Sequence, residues 1–278
     1  MTLEEALALC EATVRSSDPD RYFATLFAPS DKRPLLYALY AFNHEVARIA
    51  DVAREPVMAE IRLQWWREAL EGACEGRPRA HPASIGLAEI FACTSPPREL
   101  FERLIDARAP EPASAPFADL EALDVYADAS SASLMRIAAH ILDMWAEVDA
   151  LAQEAGMAYG LARVLRAIPQ CVARGRMPLP ADLLAAEGLP VAEMFSARDR
   201  AALKCAIARV ADVAQTHLAR ARKMQFPRET RAAFLPAALV PTYLSQIARS
   251  SDPLRDRHDI SQLRRQLVLL RSALLGRL

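Results

Sequence analysis

The sequence predicts an all-α fold, and three observations carry this prediction. Glycine is scarce, at 8 of 278 residues, whereas proteins typically contain about 7% glycine and sheets with tight hairpins use it freely. Apolar residues recur at the three- and four-residue steps of an amphipathic helix. The apolar-polar alternation of a half-buried strand is absent over any useful length.

The segment after Ser30 and Asp31 illustrates the helical pattern. Either residue is a suitable N-cap, and Pro34 is tolerated in a first turn. The apolar positions of this predicted helix are Leu35, Ala38, Phe42, Val46 and Ile49. Pro56 closes or kinks the segment, and the next helix is predicted over MAEIRLQWWREALEG.

The remaining predicted helices alternate with proline-rich loops. The helices lie at about 117–144, 147–168, 196–223 and 261–275. The loops lie at about 76–82, at about 109–116 and within the stretch IPQCVARGRMPLPADLL. Because none of these loops is long enough to be a domain linker, we predict a single domain over residues 1–278 with about eight or more helices.

The composition excludes two classes of protein. With 34 basic and 35 acidic residues the formal net charge is -1, which argues against a protein that binds nucleic acid by neutralising phosphates. An apolar content of 53% excludes intrinsic disorder as the main state.

The cysteines and the first residues predict the compartment. The five cysteines include no CxxC pair, which argues against a disulfide framework or a zinc site and favours a reducing compartment. Glu4 and Glu5 stand where a secretory signal would be basic, and no apolar run approaches the roughly 18 residues of a membrane span. We therefore expect a cytoplasmic protein that is at most peripheral to the inner membrane.

Three stretches, in this order, carry a family resemblance. They are YALYAFNHEVARIAD (37–51), RLQWWREAL (62–70) and GMAYGLARVLRAIPQCVARGRMPLPADLL (156–184). Together they resemble the squalene/phytoene synthase family. The resemblance implies an isoprenoid-synthase-type helical bundle around a central cavity. Active members of this family condense two prenyl diphosphates head to head, with magnesium held by aspartates on two facing helices.

The sequence departs from the family at the positions that would bind magnesium. Carboxylates spaced four apart share a helix face, and magnesium prefers such oxygen ligands. The matching positions hold Ala47, Arg48 and Asp51 in the first motif and Arg163, Ala167 and Cys171 in the second. We therefore expect no metal site and no catalytic residue, with Glu45 and Asp51 as remnant acidic positions.

A narrower resemblance points to one branch of the family. Residues 126–142 and 161–170 resemble the branch that includes the mitochondrial complex I assembly factor, which keeps the fold and lacks the aspartate motifs. This implies a non-catalytic assembly factor with complex I subunits as partners, no cofactor, and a cavity open to a lipid or prenyl ligand. The alternatives are a magnesium-dependent prenyltransferase of the squalene/phytoene synthase type and a lipid carrier at a membrane surface.

The residues expected to line the cavity are aromatic, polar or basic. Aromatic walls suit an isoprenoid tail, and arginine forks suit phosphate or carboxylate. The expected cavity residues are Tyr22, Tyr40, Asn43, His44, Arg48, Arg67, Tyr159, Arg163 and Arg166. Two interpretations of Arg48, Arg163 and Arg166 stay open: they bind an anion, or they pair with Glu45 and Asp51.

The last predicted helix combines a leucine stripe with arginines. The leucines, at 4-3-4 spacing, are Leu263, Leu267, Leu270 and Leu274, and the other face holds Arg264, Arg265 and Arg271. A helix of this kind lies on an anionic membrane or binds a partner, and the same stripe is what a last packing helix needs. The sequence leaves both interpretations open.

Overall fold

The computed structural model describes residues 1–52, 55–108, 116–142, 145–190, 194–195 and 200–278, with the side chains of all of these except 51 and 145–147. Over this part of the chain all regular secondary structure is helical, which confirms the all-α prediction. The α-helices are α1 (Leu3–Ser17), α2 (Pro19–Thr25), α3 (Arg33–Ala47), α4 (Ile49–Val52), α5 (Pro56–Cys74), α6 (Pro82–Thr94), α7 (Arg98–Asp106), α8 (Leu120–Ala127), α9 (Ser133–Ile141), α10 (Trp145–Val172), α11 (Ala181–Ala186), α12 (Arg200–Ala221), α13 (Arg231–Phe234), α14 (Val240–Ala248) and α15 (Gln262–Leu275). A π-helical turn (Asp128–Ala132) joins α8 to α9, and a 3-10 turn (Leu235–Leu239) precedes α14.

The start of α3 differs from the prediction. The predicted apolar positions are buried, but Lys32 occupies the N-cap position instead of Ser30 or Asp31, and it makes no side-chain cap. The reason is a backbone turn before the helix, in which the Lys32 N–H donates to the Pro29 carbonyl at 3.1 Å. Pro34 lies in the first turn as predicted.

Helix α10 runs further than the sequence pattern predicted. It continues through Pro169 to Val172, although proline was expected to end it. Pro169 lies within the last turn, where its missing N–H removes a single donor, and its own carbonyl accepts from the Ala173 N–H at 3.1 Å. The predicted loop at 109–116 falls almost entirely outside the described residues, and the one near 76–82 separates α5 from α6.

The helices pack in two groups that share one core. Helices α1, α3 and α6 pack against one another, and α5 packs against α6. Helix α10 packs against α9, α12 and α14, while α3 and α7 contact α9. The largest fully buried side chains of the described residues include Tyr159, Tyr243, Phe42, Phe101 and Phe234. A second, smaller apolar cluster lies under α15. No helix of the described residues has both the length and the apolar character that crossing a bilayer requires.

Two glycines of α10 bring it against the π-helical turn. A Cβ added to Gly156 would lie 2.5 Å from the Ala132 Cα, and one added to Gly160 would lie 2.7 Å from the Ser131 Cβ. These separations are too short for any side chain, so the GMAYG segment fixes the spacing between α10 and the turn. α10 is thereby positioned to present Tyr159, Arg163 and Arg166 to the site described below.

His81 caps α6 and makes the stability of the fold depend on pH. The His81 Nδ1 accepts from the Ala83 N–H at 3.2 Å, which requires that this nitrogen carry no proton. Burial lowers the pKa of His81 below its ordinary value of 6.5. The unfolded chain therefore binds more protons than the folded chain as the pH falls through about 6.5, and acid destabilises the fold.

We expect the melting temperature to fall as the pH is lowered from about 7.5 to about 5. His81→Asn keeps a side-chain acceptor at the cap but does not titrate there, so it should flatten this dependence even though it loses the ring contacts to Trp65 and Trp66. Part of the dependence should remain, because burial also lowers the pKa of His44 and His258. Thermal melts of both proteins across the pH range measure this, and equal slopes would contradict the assignment to His81.

Candidate functional site

The site is built on the start of α2, where the sequence Asp18-Pro19-Asp20-Arg21 begins the helix. The Asp18 side chain caps α2 by accepting from the Arg21 N–H at 3.2 Å, and it also accepts from the Arg21 Nη1 at 2.7 Å. Pro19 occupies the first turn, where its missing N–H costs nothing. This start places Asp20 and Arg21 side by side in the protein interior.

Asp20 is the centre of a buried polar cluster. Its side chain is 3% exposed, and it accepts hydrogen bonds from the Tyr159 hydroxyl at 2.8 Å and the Tyr243 hydroxyl at 2.7 Å. Arg166 donates to it through Nη1 at 3.0 Å and Arg265 through Nε at 2.6 Å. We call Asp20, Tyr159, Arg166, Tyr243 and Arg265 the Asp20 network. Its donors come from α10, α14 and α15, and they satisfy both carboxylate oxygens.

Arg21 fills the neighbouring space beside α3. Its side chain is 3% exposed, and its guanidinium lies 5.4 Å from the ring centre of Tyr40 and 5.1 Å from that of Tyr159. Burial lowers the pKa of Arg21, but the Asp18 carboxylate and the nearby Tyr159 and Tyr40 side chains together raise it by more, so the arginine stays charged. A buried cation held by one carboxylate and two aromatic faces is a stable arrangement.

The two tyrosines of the network stay protonated and donate hydrogen bonds to Asp20. Burial and the nearby Asp20 carboxylate raise the pKa of Tyr159 well above its ordinary value, and the same two causes raise the pKa of Tyr243. The Arg166 guanidinium lies 3.6 Å from the centre of the Tyr243 ring. Both hydroxyls therefore act as hydrogen-bond donors to Asp20 at neutral pH.

A more open group of charges lies outside the network. Arg163 approaches Asp18, with 3.8 Å between Nη1 and Oδ2 and a side chain that is 41% exposed. Arg48 pairs with Glu45 at 3.4 Å. His44 is half-buried, and burial lowers its pKa. Of the two interpretations of the arginines, the structure has ion pairs among the described residues: Arg48 pairs with Glu45 as predicted, whereas Arg163 and Arg166 pair with Asp18 and Asp20.

A pocket opens beside this outer group. It has a volume of about 290 Å³ and is lined by Glu45, Arg48, Ile49, Val52, Arg62, Trp65 and Trp66. Small-molecule sites span roughly 300–1,000 Å³, so this pocket lies at their lower limit. The two tryptophans pack edge to face with ring centres 4.9 Å apart, and Trp66 is buried.

Several predicted cavity residues lie away from the Asp20 network. Arg67, which is partly buried, pairs with Glu60 at 2.8 Å and with Asp106 at 3.0 Å, and these carboxylates hold it between α5 and α7. Tyr22 stacks on Tyr37 with ring centres 5.6 Å apart. Asn43 is buried in α3, and the Asp51 side chain lies outside the described residues.

The profile of the squalene/phytoene synthase family matches residues 14–267. The chain belongs to the squalene/phytoene synthase family. It is 26% identical over 241 residues to the NADH dehydrogenase (ubiquinone) complex I assembly factor 6 of Bos taurus, covering 86% of this chain and 72% of that protein. It is 27% identical over 235 residues to the presqualene diphosphate synthase of Rhodopseudomonas palustris, covering 81% and 80%.

Solved structures of squalene/phytoene synthase family enzymes have the same fold. The squalene synthase HpnC from Alicyclobacillus acidocaldarius is 25% identical with a TM-score of 0.77, covering 89% of this chain and 94% of that one. A dehydrosqualene synthase in complex with a ligand has a TM-score of 0.83 at 18% identity, covering 97% and 95%. The isoprenoid-synthase-type bundle predicted from the sequence is confirmed.

The side chains at the matching positions do not fit the magnesium used by active members of the squalene/phytoene synthase family. Magnesium takes hard oxygen ligands, yet Arg163 brings a cation and Ala47 and Ala167 bring no donor. Among the described residues, no group of three or more His, Cys, Asp or Glu side chains is placed to hold a metal ion. At Ala47, Arg163 and Ala167 the side chains therefore offer magnesium no oxygen ligand.

The sequence interpretation missed most of the polar side chains in this interior cluster. It included Tyr159, Arg166 and Tyr40 but not the partners Asp18, Asp20, Arg21, Tyr243 and Arg265. Arg265 was assigned to the polar face of the last helix with Arg264 and Arg271, whereas it is 5% exposed. The one available signal was Asp-Pro-Asp at a helix start, which indicates a cap but does not indicate burial.

Asp20→Ala tests whether the network holds the fold together. Removing this carboxylate leaves Arg166 and Arg265 without their buried partner, and we expect a loss of about 3–5 kcal/mol in the free energy of unfolding. Asp259→Ala is the matched control, because Asp259 contacts the same two arginines but is 74% exposed, and we expect a much smaller loss. Urea denaturation measures both variants. Similar losses would contradict a dominant role for the buried carboxylate.

Proposed function

We propose that this chain is a non-catalytic member of the squalene/phytoene synthase family that acts as an assembly factor for respiratory complex I. The observation that carries the non-catalytic part is the Asp20 network together with Arg21. Their side chains fill the space between α2, α3, α10, α14 and α15 with charges that the protein itself neutralises.

A synthase of this family needs the opposite arrangement. It must keep an apolar cavity open for prenyl chains and hold the departing diphosphate with metal ions. Here a buried arginine lies against Tyr40 and Tyr159, and Arg166 and Arg265 are already paired with Asp20, so these cations are occupied within the protein. The loss of metal ligands and the filled interior therefore support the same conclusion.

The role in complex I assembly rests on similarity. The chain matches the assembly factor 6 proteins of Bos taurus and Homo sapiens over 86% of its own length, at 26% and 25% identity. These relatives are named as assembly factors of complex I, so complex I subunits are the proposed partners. A lipid or prenyl ligand, if one is bound, would use the pocket beside Arg48 and the two tryptophans, since the interior next to Asp20 is filled.

The second candidate function is a magnesium-dependent prenyltransferase that joins two prenyl diphosphates head to head. The 27% identity to a presqualene diphosphate synthase over 81% of the chain favours it. It would require that carboxylates from other positions replace the missing magnesium ligands.

A turnover assay separates the two functions. We expect the folded protein, given farnesyl or geranylgeranyl diphosphate with magnesium, with and without NADPH, to release no diphosphate and to form no hydrocarbon above a heat-denatured sample. The presqualene diphosphate synthase of Rhodopseudomonas palustris, assayed in parallel, is the positive control. Product formation by this chain would overturn the non-catalytic assignment.

Deletion of the gene in its own host tests the assembly role. We expect the NADH:ubiquinone oxidoreductase activity of isolated membranes to fall several-fold, because unassembled complex I cannot transfer electrons. Succinate dehydrogenase activity serves as the control and should not change. A plasmid copy of the gene should restore complex I activity. Unchanged complex I activity in the deletion strain would refute the assembly role. The turnover assay would still decide separately whether the chain is catalytic.

A further inference from the structure

The leucine stripe of α15 faces outward. Leu263 is 67% exposed, Leu267 56%, Leu270 43% and Leu274 76%. The stripe thus does not pack against the body of the protein, and the interpretation of these leucines as the packing face of the helix is wrong. Leu267, Leu270, Leu274 and Leu275 form a shallow groove together with Arg271 and Arg277.

The opposite face of α15 holds the helix in this orientation. Its buried residues are Arg265, Leu269, Ser272 and Ala273. At 3.6 residues per turn these positions lie across the helix from the leucines. The 2.6 Å hydrogen bond from Arg265 to Asp20 prevents the helix from turning the leucines inward, since rotation would break a buried ion pair. Gly276, whose backbone adopts the left-handed conformation, ends the helix, and its N–H donates to the Ser272 carbonyl.

The charges around the stripe are all of one sign. Residues 260–278 contain four arginines and no aspartate or glutamate. Arg264 and Arg271 are exposed and lie beside the leucines, while Arg265 is buried and forms an ion pair with Asp20. Leucines on one face with flanking arginines match a bilayer interface, where the leucines enter the acyl region and the arginines reach anionic headgroups.

We propose that α15 docks this protein on the surface of an anionic lipid bilayer, through Leu263, Leu267, Leu270 and Leu274 and the flanking Arg264 and Arg271. A second copy of the chain is a poorer occupant. Pairing two such faces would bring arginines together, and residues 260–278 offer no aspartate or glutamate side chain to neutralise them. The proposal does not depend on the role in complex I assembly.

Vesicle flotation tests the proposal with the full chain. We expect binding to vesicles of phosphatidylglycerol and phosphatidylcholine in equal parts, little binding to phosphatidylcholine alone, and a several-fold loss when sodium chloride is raised to about 0.5 M. Leu263→Gln with Leu267→Gln should weaken binding at least tenfold. Arg264→Gln with Arg271→Gln should remove most of the preference for the anionic lipid.

Val57→Gln with Ile61→Gln is the matched control, because these α5 residues are also four apart and are 67% and 56% exposed, the same fractions as Leu263 and Leu267. This variant should bind as the unaltered chain does, and circular dichroism should show all variants folded. Three results would overturn the proposal. The first is no binding to the anionic vesicles, and the second is an equal loss of binding in the α5 control. The third is a dimer in a mass measurement that depends on the leucines, together with no vesicle binding.

Discussion

The buried carboxylate of Asp20 is the interaction on which the rest of the structure depends. An isolated charge in a protein interior is costly, and it is tolerated only when it is paired and hydrogen-bonded. Asp20 meets that condition by drawing two arginines and two tyrosines from three different helices. The positions of α10, α14 and α15 relative to α2 are thereby set by a single side chain, and any change there affects all four elements.

The same interaction supports the proposal that this chain keeps the fold of a synthase without its chemistry. In an active member of the family, metal ions would supply positive charge facing the substrate diphosphate. In this chain the positive charge is built into the protein as Arg21, Arg163 and Arg166, and aspartates on α2 neutralise it. The aspartates are thereby engaged by arginines, and a prenyl chain would have to displace Arg21 from beside two tyrosine rings. A protein of this kind is suited to contacts made through its surface.

Helix α15 carries the exposed apolar surface that is suited to such contacts. The helix is connected to the interior by Arg265 and presents leucines to the outside. One ion pair therefore links the filled interior to the orientation of the exposed apolar face. The pocket beside Arg48 and the tryptophans lies on a different part of the molecule, lined by residues of α3, α4 and α5.

The sequence by itself determined the helical architecture and the family, and it predicts the loss of metal ligands. Helix periodicity is local, so Leu35, Ala38 and Phe42 identify a buried face without knowledge of the rest of the chain. Substitutions such as Ala167 and Arg163 are visible from the motif alone. The tertiary structure decided which charges meet, since Tyr159 and Arg265 are separated from Asp20 by 139 and 245 positions. It also decided which face of α15 is buried: the pattern of α15 marks an apolar stripe, but the ion pair between Arg265 and Asp20, together with the packing of Leu269 and Ala273, turns that stripe outward.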